Sequence, residues 1–200
     1  MGRKYDVMGN IEAYITKEQA DLIIESSRSE RDRILFHLLS RTGRRITEIL
    51  MLKAGDIKWE TNSIEWNILK KRKATTAILP QNKDTIAMLK EYVNDKEIKP
   101  DTFIFKSYGV SGHLTSSRVR YLLKSYGKQL GMERIGGDAI HIHMFRHGFA
   151  VRFVRNMTRA DQIFQLQKIL QHSDIQETMW YLNHFGQSEM REMMEVMWEY

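Results

Sequence analysis

The apolar pattern of this 200-residue chain changes period twice, and that limits its fold more than any single residue does. Ahead of Gly55 the apolar positions recur every three to four residues: Ala20, Ile23 and Ile24, then Ile34, Leu35, Leu38, Leu39, Ile46, Ile49 and Leu50. That spacing lines one face of a helix. Thr16, with Gln19 three residues on, forms a capping-box pair and marks the first helix start. Thr42-Gly43 divides or bends the second helical run. After Gly55 the period falls to two. Ile64, Trp66 and Ile68 alternate with polar residues as a strand, and Ala77 to Pro80 returns as another, with the basic turn Lys70-Lys71-Arg72-Lys73 between them. Beyond Pro80, helical spacing resumes over 84–93, 116–130, 144–154, 162–170 and 176–181, with Phe103 to Phe105 a short extended piece. The expected fold is mainly α (α+β): a helical bundle with a small three-stranded antiparallel sheet.

With 42% apolar residues the chain can bury a proper core. It holds no cysteine, which removes a disulfide scaffold, a thiol nucleophile, an iron–sulfur site and any cysteine-ligated zinc. No apolar run reaches the roughly 18 residues of a membrane span, and the first ten residues lack an apolar leader. No repeat, low-complexity tract or linker divides the chain, so residues 1–200 are expected to form a single domain. The charge is uneven. Glu189, Glu192, Glu195 and Glu199 against Arg191 leave residues 184–200 at −3, so the overall +6 puts +9 on the rest. A basic body suits a polyanion. The acidic end carries Met190, Met193, Met194, Met197 and Trp198 in one stripe, a helix over about 187–200 that packs on the body or docks on a neighbouring subunit.

Four segments hold residue types suited to chemistry. They are Thr42 to Leu50, the turn Lys70 to Lys73, His143-Met144-Phe145-Arg146-His147, and Leu170-Gln171-His172-Ser173-Asp174 with Tyr181 nine residues after His172. Each alone has a bland explanation: surface charge, a solvated hairpin, exposed imidazoles, a half-buried tyrosine. Their order and spacing do not.

On these motifs the sequence resembles the tyrosine recombinases, the phage-integrase-like enzymes, over roughly residues 12 to 185. The family's T-G-x-R-[IV]-x-E-[IL] is matched by Thr42 through Ile49, its H-x-[LF]-R-H by His143 through His147, and its L-G-H-[ST] and tyrosine by His172 and Tyr181. Gln171 stands where the family usually has glycine. The resemblance implies metal- and ATP-independent cleavage and rejoining of duplex DNA through a 3′-phosphotyrosine. In-line attack on a phosphodiester needs an oxygen nucleophile, charge stabilisation on two non-bridging oxygens, and a proton for the departing sugar oxygen. Tyr181 supplies the first. Arg45 and Arg146 offer permanently charged, bidentate forks for the second. His172 adds a donor, and His143 accepts or relays the tyrosine proton.

The general acid is expected in the basic turn. Family members place that lysine about eight residues before the proline ending the third strand, and counting back from Pro80 lands on Arg72. Lys71 fits a turn one residue longer and Lys73 one residue shorter; Lys71 is favoured because it lies nearer the end of the first long strand. Arg44, Lys70, Arg72 and Lys73 are expected on the DNA. Glu48 and Asp56 are read as structural, Glu48 orienting Arg45, and His147 as a packing or supporting neighbour of Arg146 rather than a catalyst.

The resemblance further implies duplex DNA as partner, self-association as a tetramer on DNA, no membrane, no cofactor, and action in a prokaryotic cytoplasm or from a virus or plasmid within the host cell. The family's N-terminal DNA-clamp domain is missing from these 200 residues. Three rivals stand beside this reading: a metal hydrolase built on His141, His143, His147 and His172, a type IB topoisomerase-like nicking-closing enzyme, and a DNA-binding module without activity.

Overall fold

Thr16 opens α1 (Lys17–Glu25) as the capping box requires: its side chain accepts from the Gln19 N–H while Gln19 Oε1 accepts from the Thr16 N–H. The computed structural model describes residues 12–70, 73–107 and 112–184. Ser29 caps α2 (Glu30–Thr42) by accepting from Asp32 N–H. Gly43 ends it, and the chain restarts as the short α3 (Ile46–Leu50). The expected break at Thr42-Gly43 therefore separates two helices.

The sheet follows. Strands β1 (Ile57–Lys58), β2 (Ser63–Lys70) and β3 (Lys73–Pro80) pair antiparallel in the order β1-β2-β3. Ile64 faces Leu79, Trp66 faces Ala77, and the β2–β3 ladder closes at Lys70 opposite Lys73. Ile64, Trp66 and Ile68 are buried while Glu65 and Asn67 are half-buried, as a period of two predicts. Asn82 then caps α4 (Lys83–Asp95) through Asp84 N–H.

The second half is helical around one small hairpin. Thr115 caps α5 (Ser116–Gln129), strands β4 (Arg134–Ile135) and β5 (Asp138–Ala139) pair, and α6 (His143–Arg155) and α7 (Gln162–Leu170) follow. Residues 175–184 form the last described helix, α8. Phe103 to Phe105, expected as a short extended piece, is held by single contacts outside the named strands: Phe103 makes an isolated bridge to Lys53, Ile104 N–H donates to Leu52 O, and Leu114 N–H donates to Phe105 O. The β4–β5 hairpin went unforeseen, because two residues on each side of Gly136-Gly137 are too few to show a period. Residues 71 and 72 and the acidic end lie outside the described residues.

Helix α6 is the central element. Met144, Phe145, Arg146, His147, Gly148, Ala150, Val151 and Val154 are all buried, so it is enclosed on several faces rather than one. Phe145 stacks on Phe36 of α2 at 5.8 Å, and Phe36 meets Tyr126 of α5 edge-on at 5.7 Å. Gly148 admits a close crossing: a Cβ there would sit 1.9 Å from Ile15 O, and Ile15 N–H donates to Met144 O nearby. Ala150, Val151 and Val154 continue into a cluster with Ile163, Leu166, Leu170 and Tyr181.

Two helix ends next to this cluster adopt the left-handed conformation, Gly43 at φ +64° and Gln171 at φ +56°. A Cβ on Gly43 would also lie 2.6 Å from the Phe149 ring. Gly43→Ala should therefore cost about 2–4 kcal/mol, combining left-handed strain with overpacking. Gln171→Gly should gain roughly 0.5–1 kcal/mol, the relief of strain less the entropy glycine adds to the unfolded chain. Urea unfolding of both variants checks the opposite signs.

Candidate active site

Arg146 comes from the first turn of α6 and is 3% exposed. Its Nη1 donates to Gly43 O at 2.8 Å and its Nη2 to Leu170 O at 2.6 Å. Both acceptors lie at the C-terminal ends of helices, α2 and α7, where carbonyls lack intrahelical donors and the helix dipole is negative. One guanidinium thus joins three sequence motifs. Burial, then the charges of Arg45 and Arg44, press its pKa down, yet it stays protonated at neutral pH.

Arg45 precedes α3 and keeps a 40% exposed side chain. Glu48, 1% exposed, fixes it twice: Oε2 accepts from the Arg45 N–H and Oε1 from Nη1, each at 3.1 Å. Asp56 accepts from Lys53 N–H at 2.9 Å and shapes the connection from α3 to β1. Both acids do what the sequence suggested. Arg44 does not. Expected on DNA, its side chain is 0% exposed, 3.6 Å from Glu48 and over the Trp66 ring at 6.0 Å. Trp66, on the buried face of β2, is the ring beneath it.

Arg44, Arg45, Arg146 and His143 line a pocket of about 500 Å³, and α5 adds Ser116 and Arg120 from its N-terminal turns. The N-terminal turns of α5 and α6 both reach the pocket, and among the described residues no acidic side chain lines it. Arg120 was missed from sequence. Its signal was available: Arg120, Lys124 and Lys128 recur every four residues along a helix that holds no acid, and all three are exposed.

Tyr181 of α8 lies beside this pocket's α6 wall without lining the pocket itself, and is 1% exposed. Its hydroxyl is 2.7 Å from His147 Nδ1. Burial raises the phenol pKa, while burial, then His141 and Arg146, hold His147 down to about 4. With the imidazole neutral, and protonated on Nε2, the hydroxyl donates to Nδ1. It is His147, read from sequence as a packing or supporting residue beside Arg146, and not His143, that meets the tyrosine. His143 packs edge-on against His147 at 4.7 Å, and partial burial of its ring, then His147 and Arg146, press its pKa down. His172 follows Gln171, its side chain 5% exposed, with Nδ1 2.9 Å from Thr178 Oγ1; burial, then Arg146 and Arg45, hold its pKa near 3. Lys71 and Arg72 lie outside the described residues, and Lys70 and Lys73 are placed by backbone only, at the end of the β2–β3 ladder. No group of three or more histidine, aspartate or glutamate side chains is placed to hold a metal ion among the described residues.

Comparison with known proteins bears on the family and the fold. The model of the phage integrase family matches residues 13–188. Tyrosine recombinase XerA of Pyrococcus horikoshii is 25% identical over 169 residues, covering 84% of this chain and 55% of that protein. Tyrosine recombinase XerD of Listeria innocua is 29% identical over 157 residues, covering 76% and 49%. In fold, the chain is similar to the XerH site-specific recombinase crystallised on a palindromic difH substrate, with a TM-score of 0.71, 21% identity, and coverage of 95% of this chain and 54% of that one. The chain spans about half the length of the curated relatives it matches.

The two buried imidazoles make stability depend on pH. Unfolded, they take a proton near pH 6.5; folded, His147 waits until about 4 and His172 until about 3. Their contribution is complete above pH 6.5 and is lost as pH falls, by up to about 1.4 kcal/mol per unit for each group. The melting temperature should therefore drop between pH 6.5 and 4.5, and His147→Asn with His172→Asn should flatten that slope. An unchanged slope would remove both from the acid transition.

Proposed function

The chain belongs to the phage integrase family, and from that premise we propose that it is a site-specific DNA recombinase, cleaving and rejoining duplex DNA through a covalent 3′-phosphotyrosine. The observation that carries the reading is the meeting of Arg45 and Arg146 in one acid-free pocket, with Tyr181 hydrogen-bonded to the residue next to Arg146. Two forks of fixed positive charge in a recess at helix N-termini suit a phosphodiester.

The step balances on this chain's own groups. The Tyr181 oxygen attacks the phosphorus, its proton passing to the neutral imidazole of His143 on the pocket wall. The bond to the 5′ oxygen breaks, and that oxygen takes a proton from the turn lysine, Lys71 for preference over Lys70 and Lys73. The phosphotyrosine conserves the bond energy, so the reverse step religates without ATP. Arg45, Arg146 and His172 stabilise the charge on the non-bridging oxygens. Tyr181 is outside the pocket lining, so attack requires α8 to shift and bring the hydroxyl off His147 to the phosphate. The Arg120, Lys124 and Lys128 stripe carries the positive surface outward along the duplex, joined by Lys70, Arg72 and Lys73 from the hairpin. Assembly as a tetramer on paired sites, with the methionine-striped end docking on a neighbour, completes the proposal; no described helix is long and apolar enough to cross a membrane, in keeping with action on DNA inside a cell.

Suicide substrates carrying candidate sites test it. The wild-type protein should form a covalent adduct that maps to Tyr181, Tyr181→Phe should form none, and Arg146→Ala should lose about 10²–10³ in cleavage rate. On a 5′-bridging phosphorothiolate, whose leaving group needs no proton, Lys71→Ala should regain its rate. An adduct on Tyr181→Phe, or one mapped to another residue, would overturn the nucleophile. Rescue of Lys73→Ala instead would move the acid.

A further inference from the structure

Arg44 is the anomaly of the pocket wall. Its side chain is fully buried, yet Nε, Nη1 and Nη2 have no hydrogen-bond partner among the described residues. Its nearest anion, Glu48, is 3.6 Å away and already accepts two hydrogen bonds from Arg45. A buried guanidinium left so poorly paired costs stability, and an apolar side chain of similar volume at such a position is often neutral or stabilising. The sequence motif does not explain it either, since Arg44 occupies the unspecified position of T-G-x-R.

We propose that Arg44 is a positioning residue that takes up the charge of Glu48, so that Arg45 meets the phosphate as an undiminished cation. The inference rests on the recombinase reading of the pocket and adds a residue to it. Without Arg44, the Glu48 carboxylate, 3.1 Å from Arg45 Nη1, would cancel the very charge the phosphate needs. With it, the four guanidiniums that line the pocket, Arg44, Arg45, Arg120 and Arg146, stand against the one carboxylate of Glu48, a net of three positive charges. The phosphodiester enters with one negative charge, and a tyrosine oxygen that has given up its proton adds a second in the five-coordinate transition state. The wall therefore matches the transition state better than the ground state, which is the condition for raising rate rather than only binding. Glu48 cannot simply be dispensed with, because it fixes both the backbone and the fork of Arg45. Arg44 lets the same carboxylate hold Arg45 without neutralising it.

The test compares wild type, Arg44→Met and Arg44→Met/Glu48→Gln. Two readouts are taken: the rise in melting temperature caused by inorganic phosphate at matched ionic strength, and the single-turnover cleavage rate on a suicide substrate at saturating DNA. Arg44→Met should melt no lower than wild type in the absence of phosphate. Its phosphate-induced rise should shrink, and its cleavage should slow about 10-fold with DNA affinity changed less than about 3-fold. The double variant, which removes the opposing carboxylate charge while keeping an acceptor, should recover both. A normal phosphate response in Arg44→Met, or a double variant no better than the single, would overturn the inference and leave Arg44 as packing against Trp66. If the phosphate response follows the expected pattern while wild type forms no adduct, the pocket assignment stands and the recombinase reading fails.

Discussion

The two hydrogen bonds that Arg146 donates to Gly43 O and Leu170 O hold the site together. They satisfy carbonyls that α2 and α7 leave unpaired at their ends, and they give a nearly buried cation its acceptors, so neither side tolerates losing the other. The geometry propagates from there. Gly43 must turn left-handed for the chain to leave α2 at this angle, and Phe149 and Leu170 pack into the space its missing Cβ leaves. Arg44 and Arg45 follow at once, just ahead of α3, which fixes where their guanidiniums stand. On the other side, Leu170 ends α7, Gln171 reverses the chain, and His172 follows on Thr178. A side chain expected to hold a phosphate is thus also the tie between elements 103 and 24 residues away.

What could be read from sequence divides along the same line. The capping box of α1, the break at Gly43 and the alternation in β2 depend on neighbours within a few residues, and they are where the pattern put them. The motif arginines Arg45 and Arg146 were legible because their chemistry has few substitutes. Arg44 was not, because whether an arginine beside a motif faces solvent or core is decided by Trp66, which lies across the fold on β2. The His147–Tyr181 pair was not, because α6 and α8 are brought together by the apolar cluster of Val151, Leu166, Leu170 and Tyr181, and nothing local to either residue announces it. Arg120 is the case between: its helix was foreseen, its acid-free stripe was visible, and only the convergence of α5 and α6 on one pocket gave the stripe a direction.

The charges in the site are sorted by kind. Arginines, which keep their protons under burial and mutual repulsion, form the wall. Histidines, which do not, are rendered neutral by burial and by those same arginines, so near neutral pH they stand as proton acceptors beside fixed cations. A lysine in place of Arg146 would blur that division, since its pKa falls readily on burial and it lacks the fork that spans two carbonyls.

The tyrosine completes the logic by being withheld. Its burial raises the phenol pKa, and a neutral imidazole at 2.7 Å accepts the hydrogen bond without enough basicity to take the proton outright. On the proposed reaction, ionisation of Tyr181 would become favourable only beside the guanidiniums of the pocket, not in the apolar cluster in which α8 holds the ring. Nucleophile strength would thereby be tied to position: a hydroxyl that leaves His147 for the phosphate would acquire its reactivity in the same movement, and until then it is a neutral, buried phenol.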